Sequence, residues 1–277
     1  MVRIETHTIP DISDESAFRR HERVMQEVIP AAVRSNLGEG LGLSVDAFIT
    51  DAGRFAAAGN FVEARRRFMA SGRCGYAVFA PVGPDGLVHF RFDGRDLSGP
   101  RPTIPGYANT LTWIKTFCLA SCFRDEECLG ALDAYDKEML AKAPTGSFDL
   151  YAIALAEGMR ALRRNDPKWP ELLDEAEFRS QPENLRIASP TIVARFRALI
   201  PMLQCIGRND QDGFDKACVE AVMAHKNFYG RGKKKDDPTG AFAYMAAGIA
   251  AMGVDRGLKY NVDCGYTPRW LVYGGEP

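Results

Sequence analysis

The sequence lacks an excess of charge of either sign. It contains 35 lysine and arginine residues against 36 aspartate and glutamate residues, which gives a formal net charge of -1 at pH 7. Nucleic acids and anionic membranes attract proteins through summed positive charge. The chain as a whole has no such attraction, so neither a nucleic-acid partner nor a membrane partner is expected.

The usual signatures of catalytic and metal sites are also missing. There are only four histidines, and none belongs to an H-E-x-x-H motif. A P-loop, a G-x-S-x-G elbow and a G-x-G-x-x-G motif after a strand are all absent. Residues 38–42 are rich in glycine, but no strand precedes them and no Lys-Ser or Lys-Thr pair follows, so we interpret them as a helix stop. The sequence predicts a protein without a cofactor or a metal.

The seven cysteines do not follow a metal-site or disulfide pattern. Their number is odd, and they are scattered through apolar helical segments. The tightest group, Cys118, Cys122 and Cys128, has spacings of four and six, whereas structural zinc sites use close pairs with a second pair elsewhere. We expect reduced cysteines in the core.

Long apolar runs are lacking as well. The N-terminus has no continuous apolar stretch of the signal-peptide kind, so a cytoplasmic location is expected. The uncharged, small-residue segment from Thr239 to Val254 is shorter than the roughly 20 apolar residues that span a bilayer. We predict a central helix packed on several sides, in which Gly248 and Ala251 let neighbouring helices approach closely.

Helical periodicity dominates what is present, so we predict a mainly α fold: a bundle or short solenoid of antiparallel helical hairpins. Turn residues predict one small β-hairpin near residues 76–92, and the Gly/Pro-rich stretch 97–106 is the best candidate for a subdomain boundary in a single domain of residues 1–277. Ser13 or Asp14 is expected to cap the first helix, and Ser44 the second. The predicted helices run over about 14–36, 44–55, 61–69, 107–123, 125–142, 147–165, 168–180, 190–207, 212–228 and 239–256.

Two ordered series of short motifs cover most of the chain from about residue 60 to 272. The first comprises Leu97-Ser98-Gly99-Pro100, Tyr107-Ala108-Asn109, Trp113 to Ala120, Arg124-Asp125, and Leu129 with Leu132. The second comprises Phe214, Ala221, His225 to Tyr229, a polar loop, a small-residue helix, Asp255-Arg256-Gly257, and Asp263 with Tyr266-Thr267-Pro268. In order and spacing they resemble the immunity protein 49 family of bacterial polymorphic-toxin and contact-dependent competition systems. Thr267 departs from the family pattern, which has Leu between Tyr and Pro.

The resemblance implies a non-catalytic protein that binds a cognate toxin domain and blocks its active site or its folding. The expected absence of a signal peptide then implies a toxin that acts in the cytosol, and a monomer and a dimer both stay open. Exposed loops carry function more often than helices do, so a charged loop is the first candidate for the toxin contact and an acidic helix face is the second. The candidate partner-binding residues are Arg231, Lys233, Lys234 and Lys235 in the loop, and Asp125, Glu126 and Asp133 on the acidic face.

Each of these sets also has an ordinary structural interpretation. The lysines are partly cancelled by Asp236-Asp237 and are typical of a solvated loop, and the carboxylates at residues 125–127 are typical of a helix N-terminus. Two other functions stay open. A helical-hairpin scaffold is suggested by the similar spacing of apolar residues after Gly59-Asn60 and Asn209-Asp210. An enzyme would need an unrecognised carboxylate or cysteine site.

Overall fold

The computed structural model of the protein describes residues 2–10, 15–35, 37–101, 107–143 and 150–277. The chain is mainly helical, as predicted. The helices are α1 (Glu15–Arg23), α2 (Ile29–Ser35), α3 (Leu37–Ala57), α4 (Phe61–Phe79), α5 (Thr110–Phe123), α6 (Glu126–Ala134), α7 (Lys137–Ala141), α8 (Leu150–Arg163), α9 (Trp169–Arg179), α10 (Pro190–Arg197), α11 (Leu199–Arg208), α12 (Gln211–Tyr229), α13 (Tyr244–Asp255) and α14 (Arg269–Tyr273). The strands are β1 (Val2–Ile4), β2 (Leu87–Phe92), β3 (Arg95–Pro100) and β4 (Val262–Cys264). Shorter helical turns are the π-helical Val24–Val28 and the 3₁₀ segments Pro182–Asn184, Gly232–Asp236 and Pro238–Ala241.

Four helix–helix joints share one local geometry. In each, a residue with positive φ ends one helix, and the next residue is Asn or Asp, whose side chain accepts a backbone N–H two or three residues later. In three of the joints that N–H lies in the first turn of the following helix, whereas Asp166 accepts from Lys168, just before α9 begins. Asn60 is representative, because its N–H donates to the Phe55 carbonyl at 2.8 Å and its side chain accepts from the Glu63 N–H at 3.1 Å. These joints link the packed pairs α3–α4, α5–α6, α8–α9 and α11–α12, which confirms the predicted helical hairpins. The four pairs are Gly59-Asn60, Arg124-Asp125, Asn165-Asp166 and Asn209-Asp210.

The predicted central helix is α13. Every residue from Tyr244 to Gly253 is buried, and the helix packs against α5, α11, α12 and α14. A Cβ atom on Gly248 would lie 2.2 Å from the Cys118 carbonyl oxygen, so only glycine allows α5 to approach this closely. The helix starts at residue 244 rather than 239, because a 3₁₀ turn occupies residues 238–241.

The β-hairpin lies further along the chain than predicted. Residues 76 to 79 belong to α4, whose buried face they continue. β2 and β3 pair antiparallel around Asp93 and Gly94, whose φ angles of 47° and 77° fit the type I′ turn that suits two-residue hairpin loops. The turn between Gly83 and Gly86 instead connects α4 to β2. A second strand pair, β1 parallel to β4, was not predicted.

The glycine-rich segment 38–42 is not a helix stop. α3 runs through Gly40 and Gly42, although glycine costs a helix about 1 kcal/mol per residue. A Cβ atom on Gly42 would lie 1.9 Å from the Cβ of Tyr107, so close packing explains the glycine there. Ser44 lies inside the same helix and donates to the Gly40 carbonyl at 2.7 Å, so it is not an N-cap.

Three of the predicted helices are divided. In the first, Pro30 has no N–H to donate to the Gln26 carbonyl, and Arg95 donates to that oxygen instead, at 2.9 Å. The helix is interrupted there by a π-helical turn between α1 and α2. The helix predicted over 125–142 breaks before Asp136, which caps α7. The helix predicted over 190–207 breaks at residue 198, because Pro201 cannot donate to the carbonyl four residues earlier.

Buried apolar side chains form one cluster that extends from Ile4 to Val272 and includes residues on both sides of the 97–106 stretch.

Several sequence predictions fall outside the described residues, namely the caps Ser13 and Asp14, part of the 97–106 boundary, and the start of the helix predicted from 147. The single-domain assignment stays a prediction. In the part of the chain that the structure describes, no helix is both long and apolar enough to cross a membrane.

Candidate partner-binding surface

The loop predicted to contact a partner is an exposed 3₁₀ turn that directly follows α12. Gly232 begins it with a φ of 57°, a left-handed conformation that favours glycine. Its four cations, Arg231, Lys233, Lys234 and Lys235, are all exposed. We call residues 231–235 the basic turn.

Within the described ranges, none of these four cations forms an ion pair. Arg231 donates to the Asn227 side-chain oxygen at 3.4 Å, which is a weak contact with a neutral group. Asp237 is partly exposed, and its carboxylate accepts from the Thr239 N–H at 3.0 Å. Residues 231–237 carry four positive charges and two negative charges, those of Asp236 and Asp237, for a local net charge of +2.

The turn rests on a rigid foundation. A Cβ atom on Gly53 would lie 1.8 Å from the Pro238 carbonyl oxygen, so the segment after the turn packs directly onto the backbone of α3. Just beyond it, the His225 ring lies 2.9 Å from the Gly240 carbonyl oxygen through Nε2, which makes Nε2 the protonated nitrogen. Both contacts fix where the chain enters and leaves the basic turn.

Phe228 joins the turn to a second cation from elsewhere in the sequence. The Lys234 ammonium lies 4.4 Å from the centre of the Phe228 ring, and the Arg195 guanidinium lies 3.9 Å from it. Arg195 also donates to the Tyr229 hydroxyl at 3.0 Å. Sequence reasoning missed Arg195, because it lies on α10 and nothing in its local pattern indicates that α10 packs on α12.

A histidine cluster lies beneath the turn. The His225 ring contacts the rings of Tyr229 and Tyr266, and burial lowers its pKa to about 4, with Arg195 and His7 contributing in the same direction. The Tyr266 hydroxyl accepts from the His7 backbone N–H at 2.8 Å and lies 2.6 Å from the His7 Nδ1. Burial also lowers the pKa of His7. Both rings are neutral at pH 7, so they add no positive charge to the turn.

The predicted acidic residues are engaged within the protein. Asp125 caps α6 through the Cys128 N–H and lies 3.0 Å from a guanidinium nitrogen of Arg73 on α4. Glu126 lies 2.6 Å from Arg163 on α8, and Asp133 is bonded to the same arginine. These carboxylates link α6 to its neighbours, so they do not form a free acidic surface. Whether they also contact a partner stays untested.

A hollow of about 510 Å³ lies between α4 and the turn of the β-hairpin. Its volume falls within the range of ligand pockets. We call it the arginine groove, because four arginines contribute to its lining together with the exposed side chains of Val62 and Met69. Most of its positive charge is balanced by nearby carboxylates. The lining residues are Val62, Arg65, Arg66, Met69, Ala70, Arg73, Arg91, Asp93, Gly94, Glu127 and Glu276.

The histidine, tyrosine and cysteine side chains that could take part in catalysis have little space around them for a substrate. His225, Tyr229 and Arg195 converge on a hollow of only about 20 Å³, which is the size of a water molecule rather than of a substrate. Six of the seven unbridged cysteines are buried, and burial raises the thiol pKa of the core cysteines Cys74, Cys122 and Cys218. Over the described ranges, no group of three or more His, Cys, Asp or Glu side chains is placed to hold a metal ion.

The motif residues behind the family resemblance hold the ends of helices together. Arg124 pairs with Asp255 at 3.1 Å and donates to the Val272 carbonyl at 2.7 Å, joining the ends of α5, α13 and α14. Arg256 donates to the side chain of Asn165 at 2.9 Å and to the last carbonyls of α8. These residues thus build the scaffold on which the surface stands.

The chain was compared with family models, curated proteins and solved structures. No curated protein and no solved structure matches the chain. The family model for immunity protein 49 matches residues 60–271, which is most of the 277-residue chain. The chain therefore belongs to the immunity protein 49 family.

Proposed function

We propose that this protein binds a cognate toxin domain and neutralises it by covering a surface that the toxin needs, without catalysing a reaction. The single observation that supports the proposal is the family match over residues 60–271. Proteins that share a fold can bind through different sites, so the binding surface has to be inferred from the surface geometry. The exposed basic turn on a rigid foundation supplies a charged contact of the required kind.

Tight inhibition needs an interface of standard size. Such interfaces bury about 800 Å² on each partner. The chain exposes 12602 Å² in total, so a single face is large enough. We further propose that the protein acts in the cytoplasm against a toxin that works there, because thiols such as those of the seven unbridged cysteines persist in reducing compartments.

The direct test is co-expression with a candidate toxin domain, which would be sought first among the genes beside this one. Cells that make both proteins are expected to grow, and cells that make the toxin domain with an unrelated helical protein are expected to stop growing. Continued killing in the presence of this chain would refute the proposal. If instead the purified protein captured several unrelated proteins and ignored the toxin domain, the scaffold function would be favoured.

A further inference from the structure

We propose that the basic turn is the docking surface for an acidic patch on the cognate toxin domain. This inference rests on the proposed immunity function and names the chemistry of its contact. The partner would present several Asp or Glu side chains to the four cations of residues 231–235.

The first argument is the unbalanced charge. Most of the other described arginines donate to carboxylates or backbone oxygens of the chain, as Arg66 does with Asp93 at 2.7 Å. Among the lysines, Lys115 is paired in the same way with Asp46 at 2.6 Å. The basic turn places four cations within five residues, and residues 231–237, which include Asp236 and Asp237, still have a net charge of +2 although the whole chain has a net charge of -1. Like charges that lie so close repel one another, and an acidic partner relieves that repulsion while it speeds association.

The second argument is preorganisation. A flexible lysine-rich loop would lose conformational entropy when it binds, and this loss weakens an interface. Here the chain that follows the turn is fixed by the close packing of Pro238 on Gly53 and by the contact of His225 on α12 with Gly240. Lys234 is held over the Phe228 ring, so its ammonium is already directed in the free protein.

The third argument concerns which acidic partner fits. Single-stranded nucleic acids bind where aromatic rings lie open for base stacking, but Phe228 and Tyr229 are only 8% and 5% exposed. A membrane surface needs apolar side chains that insert beside the cations, and no large hydrophobic side chain of residues 226–243 is exposed. A protein surface needs neither feature, because complementary charge at a rigid turn is sufficient.

The test compares two triple variants with the same change in net charge. Lys233→Glu/Lys234→Glu/Lys235→Glu reverses the basic turn, and Lys137→Glu/Lys168→Glu/Lys259→Glu reverses three exposed lysines elsewhere. Each variant loses three positive charges and gains three negative charges, which takes the net charge from -1 to -7. Affinity and association rate for a catalytically inactive form of the cognate toxin domain would be measured by surface plasmon resonance at low and high salt, after circular dichroism has shown that both variants are folded.

We expect the basic-turn variant to bind at least about tenfold more weakly, with most of the loss in the association rate, and we expect the control variant to bind like the wild type. The wild-type affinity should also fall with added salt, and that dependence should shrink in the basic-turn variant. If the glutamate variant does not fold, Lys233→Gln/Lys235→Gln replaces it, and a loss of about threefold is expected.

Three outcomes would overturn the inference. Equal binding by the wild type and both variants would place the toxin contact elsewhere and leave the immunity function standing. Failure of the wild type itself to bind the toxin domain would overturn both proposals. Tight binding of a single-stranded oligonucleotide of about 20 bases, lost only in the basic-turn variant, would show that the turn is a nucleic-acid site.

Discussion

Two regions of the molecule carry similar runs of cations and use them differently. Arg65-Arg66-Arg67 on α4 and Lys233-Lys234-Lys235 in the basic turn are both uninterrupted triplets. On α4, neighbouring elements bring carboxylates to the guanidinium groups, whereas in the described part of the chain no carboxylate forms an ion pair with the three lysines, although Asp236 and Asp237 follow them in sequence. The same charge therefore stabilises the fold in one place and remains available to a partner in the other.

The arginines of α4 show how complete this pairing is. Arg66 bonds to Asp93 at 2.7 Å and to Glu22 at 3.1 Å, and these partners raise its pKa further above the usual range. Burial alone would raise the pKa of Glu22, but hydrogen bonds from Arg66, Gln26 and Arg67 outweigh burial and lower it. The network joins α1, which lies outside the family match, to α4 and the β-hairpin inside it.

The largest effect should come from Arg67, which is 1% exposed and bonds to Glu22 while lying over the Phe55 ring. We expect Arg67→Ala to lower the free energy of unfolding by about 3 to 4 kcal/mol, because it leaves a cavity where the large Arg67 side chain is buried and removes its bond to Glu22. Urea denaturation would measure it. Lys235→Ala is the matched control and should change stability by no more than about 0.5 kcal/mol. Equal losses in the two variants would contradict the comparison between the regions.

The second largest effect on the free energy of unfolding is expected from His225, which lies beneath the basic turn, and it depends on pH. The His225 pKa is lowered from 6.5 to about 4 in the folded protein, so the unfolded chain binds the proton more tightly between these values. Stability is therefore fully present above pH 6.5 and is lost as the pH falls toward 4. Between pH 7 and pH 5 this one group accounts for about 2 kcal/mol. His225→Gln should be less stable at pH 7 but should lose about 2 kcal/mol less over that interval.

The measurement is urea denaturation of both proteins at the two pH values. The lowered pKa values of His7 and Glu22 act in the same direction, so the difference between wild type and variant isolates His225. Identical pH dependence in the two proteins would show that His225 is not held neutral beneath the turn.

A smaller effect is expected at Asp125, where the cap of α6 and the ion pair with Arg73 can be separated. Asp125→Ala removes both and should cost about 1 to 1.5 kcal/mol, whereas Asp125→Asn keeps a capping side chain and should cost less. Asp236→Ala, at an exposed carboxylate in the turn, serves as the control. If Asp125→Asn weakened toxin binding without a change in stability, the acidic face would be part of the interface after all.

The sequence was sufficient for the features that depend on local chemistry. Asn60 and Asp210 indicate their joints because a side-chain cap follows a helix end within two residues, and the small residues of α13 indicate a buried helix. It was not sufficient where distant elements decide the outcome. In the sequence Gly42 resembles a helix stop, but in the structure it lies inside α3 and packs against Tyr107. The sequence neighbours of Arg66 and Lys234 do not indicate whether a carboxylate pairs with either side chain.

For the same reason, the candidate site could be predicted only in part. The exposed lysines of the turn follow from polar composition, whereas Arg195 reaches Phe228 from a helix more than thirty residues earlier, and no local signal predicts that contact. For the acidic candidates, the sequence suggests more exposure than the structure shows. The sequence around Asp133 is typical of a solvated helix face, but its carboxylate is bonded to Arg163.

The smallest expected effect is also the one that separates the two regions most cleanly. Lys233→Gln/Lys235→Gln should leave the free energy of unfolding unchanged or raise it by a few tenths of a kcal/mol, because it removes repulsion between exposed like charges and breaks no ion pair. The gain should be larger at low salt than at high salt, since screening weakens the repulsion that is being removed. Denaturation at both salt concentrations would measure it, with Lys137→Gln/Lys168→Gln as the control. A loss of more than about 1 kcal/mol would mean that the lysines hold the turn in place, and their charge would then belong to the fold, as it does for the arginines of α4.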